Sequence, residues 1–179
     1  DDGASPPGTA KNVITVGAHV NRYTSNAADE MYYWSSRGPT DDGRIKPDIV
    51  AAGDYVRSCK AQEATEAPDN LNDQWYVEYS GTSMATPAAA GASAIVREYL
   101  LEIAERPEPQ GALVKAMLIL GAEDMGTRDI PNNDEGWGRI NLVNTLLPDS
   151  DVGIFVDDRS RLSSGQEASY NFDVTRSGE

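Results

Sequence analysis

Short runs of branched apolar residues, set in polar and turn-forming chain, dominate the first eighty positions. Val13-Ile14-Thr15-Val16, closed by Gly17, has the near-continuous apolar character of a strand buried on both faces of a parallel sheet. Asp48-Ile49-Val50-Ala51, entered through Pro47 and ended by Gly53, predicts a second such strand. Between them, Ser35-Ser36-Arg37-Gly38-Pro39 and Asp41-Asp42-Gly43 place glycine and proline beside acidic or hydroxyl residues, which predicts turns and a loop-rich surface. The stretch 61–73 is polar and acidic with Pro68 inside it, an exposed loop before a short strand over 75–79.

The period then changes. Over 84–105, Ala85, Ala88, Ala89, Ala90, Gly91, Ala92 and Ala94 are followed by Ile95, Val96, Leu100, Leu101 and Ile103, a helical pattern. Small residues over its first half allow close approach of neighbours, which predicts a central, buried helix. Leu113, Val114, Met117 and Leu118 recur at helical spacing within 111–120, and Gly121 stands at the C-terminal cap position. A short third helix over 141–147 stops at Pro148.

Past Pro148 the chain reads differently again, because Ala168, Tyr170, Phe172 and Val174 alternate with polar residues as in a half-buried strand. Strands are expected over 153–156 and 167–175, and two strands do not make an independently stable sheet. The expected organisation is therefore an α/β domain with a parallel sheet over 1–147, followed by the truncated start of a β-rich domain over 148–179.

Composition narrows the function classes. Hydrophobic residues make up 39% and charged residues 25% of 179, enough apolar surface for a packed core. Fifteen basic residues against 29 acidic ones leave a formal charge of -14, which argues against nucleic acid or an anionic membrane as partner. No stretch approaches the roughly 20 apolar residues of a membrane span. The single cysteine, Cys59, excludes an internal disulfide framework and an all-cysteine metal site, and reads as an inert, partly buried thiol.

The candidate chemistry lies at the start of the long helix. In Gly81-Thr82-Ser83-Met84-Ala85-Thr86-Pro87, a tight turn hands over to the helix at Ser83. A backbone N–H there has no intrahelical partner and the helix dipole favours negative charge, so an oxyanion forming beside Ser83 would be stabilised. Gly81 permits close backbone approach. Pro87 cannot donate to the Ser83 carbonyl, which distorts the helix start and leaves the serine accessible. Taken alone, a serine opening a helix reads as a plain cap.

The full string removes that ambiguity, since it resembles the nucleophile motif of the subtilisin-like serine peptidases. Asn12-Val13-Ile14-Thr15-Val16-Gly17-Ala18 is similar to the family strand ahead of the substrate-facing loops. Ser35-Ser36-Arg37-Gly38-Pro39, Gly43-Arg44-Ile45-Lys46-Pro47-Asp48 and the closing segment Gly136-Trp137-Gly138-Arg139-Ile140-Asn141 match in the family's order. The resemblance covers 1–147 and is strongest to alkaline peptidases that continue into a β-sandwich domain. Two departures, Ala51-Ala52-Gly53 where proline often stands second and Ala88-Ala89 for a common His-Val pair, change packing rather than chemistry.

What the resemblance implies is a serine endopeptidase with the C-terminal part of a three-layer parallel-sheet catalytic domain. Ser83 would be the nucleophile, and Gly81, Thr82 and Ser83 would form the oxyanion and substrate-binding turn. Members of this family act through aspartate, histidine and serine in that chain order, with an asparagine side chain completing the oxyanion hole. A serine hydroxyl is a poor nucleophile without a base. His19, the one histidine, follows the strand ending Val16-Gly17-Ala18 instead of opening a helix, so it is not expected to be that base. The aspartate, histidine and asparagine are expected upstream of Asp1, in a missing N-terminal half of the catalytic domain, and the chain alone is expected to be inactive and to self-associate through severed sheet edges.

The resemblance also implies secretion of the parent, polypeptide substrates, no required cofactor and no metal in the chemistry. Calcium in surface loops is common in the family, yet Asp41-Asp42 and Asp134-Glu135 supply too few ligands to specify a site. An α/β-hydrolase is rejected because Ala85 replaces the last glycine of its motif and no histidine follows Ser83. A non-catalytic scaffold that kept the fold is a different matter, since fold alone does not exclude it. The retained serine string argues against it.

Overall fold

A computed structural model describes residues 3–21, 30–65, 73–126, 128–148, 152–157 and 162–173. The architecture is α/β. Strand β1 (Val16–His19) pairs in parallel with β2 (Ile49–Ala52), in the register Val16↔Ile49 through His19↔Ala52. Strands β3 (Val56–Cys59) and β4 (Tyr76–Tyr79) form an antiparallel pair. Among the described residues three helices follow: α1 (Thr82–Glu102), α2 (Gly111–Leu120) and α3 (Leu142–Leu146).

Helix α1 lies across both β1 and β2, and α2 and α3 pack against it and each other. Its buried residues Ala85, Ala89, Ala92, Val96 and Leu100 recur every three or four positions, so one stripe faces the sheet. Ile49, Val96, Leu100 and Leu118 are wholly buried at the centre of the core, which Val114 and Met117 of α2 complete. The helix is less enclosed than its composition predicts: Ala88, Ala90, Gly91 and Ala94 are exposed, because among the described residues only one side of α1 meets the sheet.

β1 begins three residues later than the apolar run predicts. The carboxylate of Asp48 takes the Thr15 N–H at 2.7 Å, while the Thr15 carbonyl accepts from the N–H groups of Asp48 and Ile49. Local capture by a side chain replaces the regular ladder there. The other edge of β2 is covered by the Gly136–Asn141 region: the Val50 N–H donates to Gly138 O at 2.9 Å and the Ile140 N–H to Val50 O at 3.0 Å. Lys46, 2% exposed, and Lys115 both reach Asp48, at 2.8 and 2.6 Å, so one buried carboxylate joins the first strand, the second strand and α2.

Helix α2 has the predicted bounds, and its cap is Gly121. Helix α1 starts at Thr82 and ends at Glu102, and α3 is capped by Asn141, whose side chain accepts from the Val143 and Asn144 N–H groups. Two expectations fail. Cys59 is exposed, on β3, because the polar strand β3 has no layer over it. No strand forms within 152–157 or 162–173: Phe155 meets the rings of Tyr170 and Phe172, but all described residues of 162–173 are exposed and no neighbouring strand receives their N–H groups. Val174 and Thr175 of the expected last strand, and 66–72 of the expected loop, lie outside the described residues.

Candidate active site

The carboxyl ends of the parallel strands and the start of α1 meet at one point, where open α/β sheets place their sites. Ala18 of β1, Ala51 of β2 and Ala85 of α1 form a small buried cluster there. Their small size is required, since a Cβ on Gly53, just past β2, would stand 2.5 Å from the Ala18 Cβ and 2.8 Å from the Gly81 carbonyl oxygen. The Gly81 N–H donates to Gly53 O at 2.6 Å, which fastens the turn before α1 to the end of the sheet.

Gly81 has φ 144° and ψ 170°, a conformation that side chains rarely adopt, so glycine is needed at this turn. Its carbonyl accepts from the N–H groups of Met84 and Ala85 at 3.0 and 3.4 Å, and these are the first bonds of α1. Thr82 and Ser83 therefore occupy the first turn, where N–H groups precede any intrahelical acceptor. Ser83 is exposed, while Gly81 and Thr82 are half-buried. Pro87 sits inside α1 and the helix runs through it, so the missing donor opposite the Ser83 carbonyl does not end the helix.

The three residues expected at the site, Gly81, Thr82 and Ser83, are thus contiguous on the turn. His19 closes β1. It is 7% exposed at the end of β1, its Nδ1 lies 2.7 Å from the Val20 carbonyl oxygen, and its own carbonyl accepts from Gly53 N–H at 3.1 Å. Because a carbonyl oxygen only accepts, that contact places the ring proton on Nδ1.

Sequence reasoning missed a polar cluster directly behind the turn. Ser80 Oγ donates to Asp54 Oδ1 at 3.1 Å and accepts the Tyr55 N–H at 2.8 Å. Desolvation pushes the Tyr32 phenol above its ordinary value, a hydrogen bond with Ser80 pulls it back, and Tyr33, Asp54 and Tyr55 raise it further. No spacing signal marks Asp54 or Ser80, because their meeting depends on the β3–β4 hairpin returning the chain to the end of β2.

Three of the four acidic residues considered as cation ligands meet protein donors. Asp42 accepts from Arg44 and Thr40, which holds its carboxyl at about 2, well below the usual carboxylate range. Asp134 meets Arg37 and Arg128, and Glu135 accepts from the Met125 N–H and the Asn132 amide. No group of three or more His, Cys, Asp or Glu among the described residues is arranged to hold a metal ion. No helix of the described residues is long and apolar enough to cross a membrane.

Residues 2–138 match the family described as the subtilase family, peptidase S8. The chain belongs to the subtilase family. This subtilase chain is 32% identical over 189 residues to the serine protease/ABC transporter B family protein tagD of Dictyostelium discoideum, covering 78% of the chain and 10% of that protein. It is 32% identical over 145 residues to the serine protease AprX of Bacillus subtilis, covering 78% of the chain and 31% of AprX. The structure of the Clostridium perfringens CspB protease superposes with a TM-score of 0.63 at 31% identity, covering 79% of the chain and 27% of that protease. The subtilase chain thus spans about a tenth to a third of these relatives' own lengths.

Proposed function

We propose that this subtilase chain carries the nucleophile turn of a serine endopeptidase, with Ser83 as the attacking residue. The carrying observation is the exposure of Ser83 on the first turn of α1, immediately after a glycine at φ 144° that is bonded to the end of the sheet. In this reading Ser83 Oγ attacks the carbonyl carbon of a polypeptide and loses its proton to a histidine base. The carbonyl oxygen becomes an oxyanion that accepts from the Ser83 N–H, aided by the positive end of the α1 dipole.

Collapse of that intermediate breaks the C–N bond, the base returns its proton to the leaving amine, and an ester to Ser83 remains. Water then hydrolyses the ester by the same steps in reverse order. The reaction needs no cofactor. The family resemblance supplies the remaining parts: a histidine, its orienting aspartate and an oxyanion asparagine from upstream chain. Action outside the cell belongs to the same proposal and rests on the same resemblance.

In the full-length protein, a fluorophosphonate probe is expected to label Ser83, located by peptide mass spectrometry, and Ser83→Ala is expected to abolish both labelling and peptide hydrolysis. The loss in kcat should approach a millionfold, the effect of removing the nucleophile in subtilisin itself. Hydrolysis that survives Ser83→Ala at near-parent rate would sink the reading. The 179-residue chain by itself is expected to label only slowly, because no histidine in it is placed as a base.

A further inference from the structure

Buried carboxylates elsewhere in the chain have evident structural partners. Asp48 meets two lysines, and Glu135 meets the Met125 N–H and the Asn132 amide. Asp54, 8% exposed, is different, because its Oδ1 accepts from a hydroxyl two residues before Thr82 and three before Ser83. Ser80 Oγ has a single proton. Donating it to Asp54 leaves the oxygen's lone pairs for the Tyr55 N–H at 2.8 Å.

Together with the Gly81 N–H on Gly53 O at 2.6 Å, three hydrogen bonds tie the consecutive residues Ser80 and Gly81 to the consecutive residues Gly53, Asp54 and Tyr55. Both sides of this junction hold unusual backbone. Gly81 is at φ 144°, and Tyr55 is a non-glycine residue at φ 44°. Such conformations persist where surrounding bonds over-determine them, and they gather at functional sites. The junction has no room to slide, since Gly53 already touches Ala18, Ala85 and the Gly81 carbonyl closely enough to exclude a methyl group.

We infer that Asp54 and Ser80 are positioning residues for the peptidase reaction, a hydrogen-bonded latch that sets the direction of the Gly81–Ser83 turn and hence of the Ser83 hydroxyl and N–H. The inference rests on the reading of Ser83 as nucleophile. Substrate contact is not required of either residue. Their effect passes through Gly81, whose peptide planes are fixed on one side by Gly53 and Ser80 and on the other by the first bonds of α1. A misplacement of reacting atoms by about 1 Å costs on the order of a hundredfold in rate, so a latch of this kind acts on kcat.

The test uses the full-length protein with Ser80→Ala, Asp54→Ala, Asp54→Asn and the Ser80→Ala/Asp54→Ala double variant. Steady-state peptide hydrolysis and the rate of fluorophosphonate labelling of Ser83 are measured on preparations shown to be folded by circular dichroism. Expected are falls in kcat of about 10- to 100-fold for Ser80→Ala and Asp54→Ala, KM within about 3-fold of the parent, and labelling rates that fall in parallel. Asp54→Asn keeps a carbonyl oxygen to accept the Ser80 hydroxyl and should recover to within about 3-fold of the parent. The double variant should be no slower than the slower single one, because the pair acts as a unit.

Folded single variants at parent kcat, losses that multiply in the double variant, or Asp54→Asn as impaired as Asp54→Ala would each overturn the latch. If Asp54→Ala fails to fold, Ser80→Ala and Asp54→Asn still decide. Survival of hydrolysis in Ser83→Ala would instead overturn the nucleophile reading, whereas loss in Ser83→Ala beside unaffected Ser80→Ala and Asp54→Asn labelling overturns the latch alone.

Discussion

Ile49-Val50-Ala51 and the alternating residues Ala168, Tyr170 and Phe172 are both strand-like in sequence, yet the first three are buried at 5% exposure or less while Phe172 is 62% exposed. β2 has β1 on one side and the Gly138–Ile140 backbone on the other, with α1 over its face. Residues 162–173 have no such neighbours among the described residues. A strand is a shared property of two chains of backbone, so apolar alternation without a partner leaves the rings of Tyr170 and Phe172 exposed, stacked only against the exposed ring of Phe155. Where 152–157 touches the main body it does so as a strap: Ile154 and Val156 pack against the helical core and Arg106 donates to Val156 O at 2.9 Å.

The sharpest test of this contrast is Asp48→Ala. It removes the carboxylate facing the buried ammonium of Lys46 and the half-buried one of Lys115, and stability is expected to fall by about 3–5 kcal/mol, measured by urea unfolding. Leu100→Ala, at a wholly buried position of α1, should cost about 2–5 kcal/mol through lost packing and a cavity. Phe172→Ala is expected to change stability by less than about 0.5 kcal/mol, because its ring covers no part of the core. A cost for Phe172→Ala comparable to that of Leu100→Ala would break the comparison and show that 162–173 is part of the folded unit.

The smallest effect belongs to Asp42, an exposed carboxylate that Arg44 and Thr40 hold at about 2. A folded-state value below the unfolded one contributes stability above the ordinary carboxylate range, and this is lost as pH falls toward about 2. Carbon-13 NMR titration of the Asp42 carboxyl should show that low midpoint, and Arg44→Gln should raise it. A midpoint in the ordinary carboxylate range would remove this contribution.

Much of the helical layer was legible in the chain. Leu113, Val114, Met117 and Leu118 placed α2 at its observed bounds, because helix periodicity and a terminal glycine are local signals. The turn before α1 was legible for the same reason: Gly81 to Pro87 encodes its own geometry through a glycine at positive φ and a helix of small residues. The strands were read less well. β1 slid by three residues because a side chain 33 positions away, Asp48, bonds Thr15, and β3 was missed because its four residues are mostly polar. Composition alone predicts a partly buried Cys59, whereas its exposure follows from which face of the hairpin lies uncovered.

By itself, then, the sequence determined the α/β class, the bounds of α2 and Ser83 at the head of α1, since each is written in neighbouring residues. Tertiary structure alone decided that Asp48 takes the Thr15 N–H across 33 residues of chain, and that Asp54 meets Ser80 across 26. Those contacts depend on how the β3–β4 hairpin and the parallel strands close on one another. Hydrogen bonds and ion pairs are directional and short, so a shift of one residue in that closure would erase them without disturbing any local pattern.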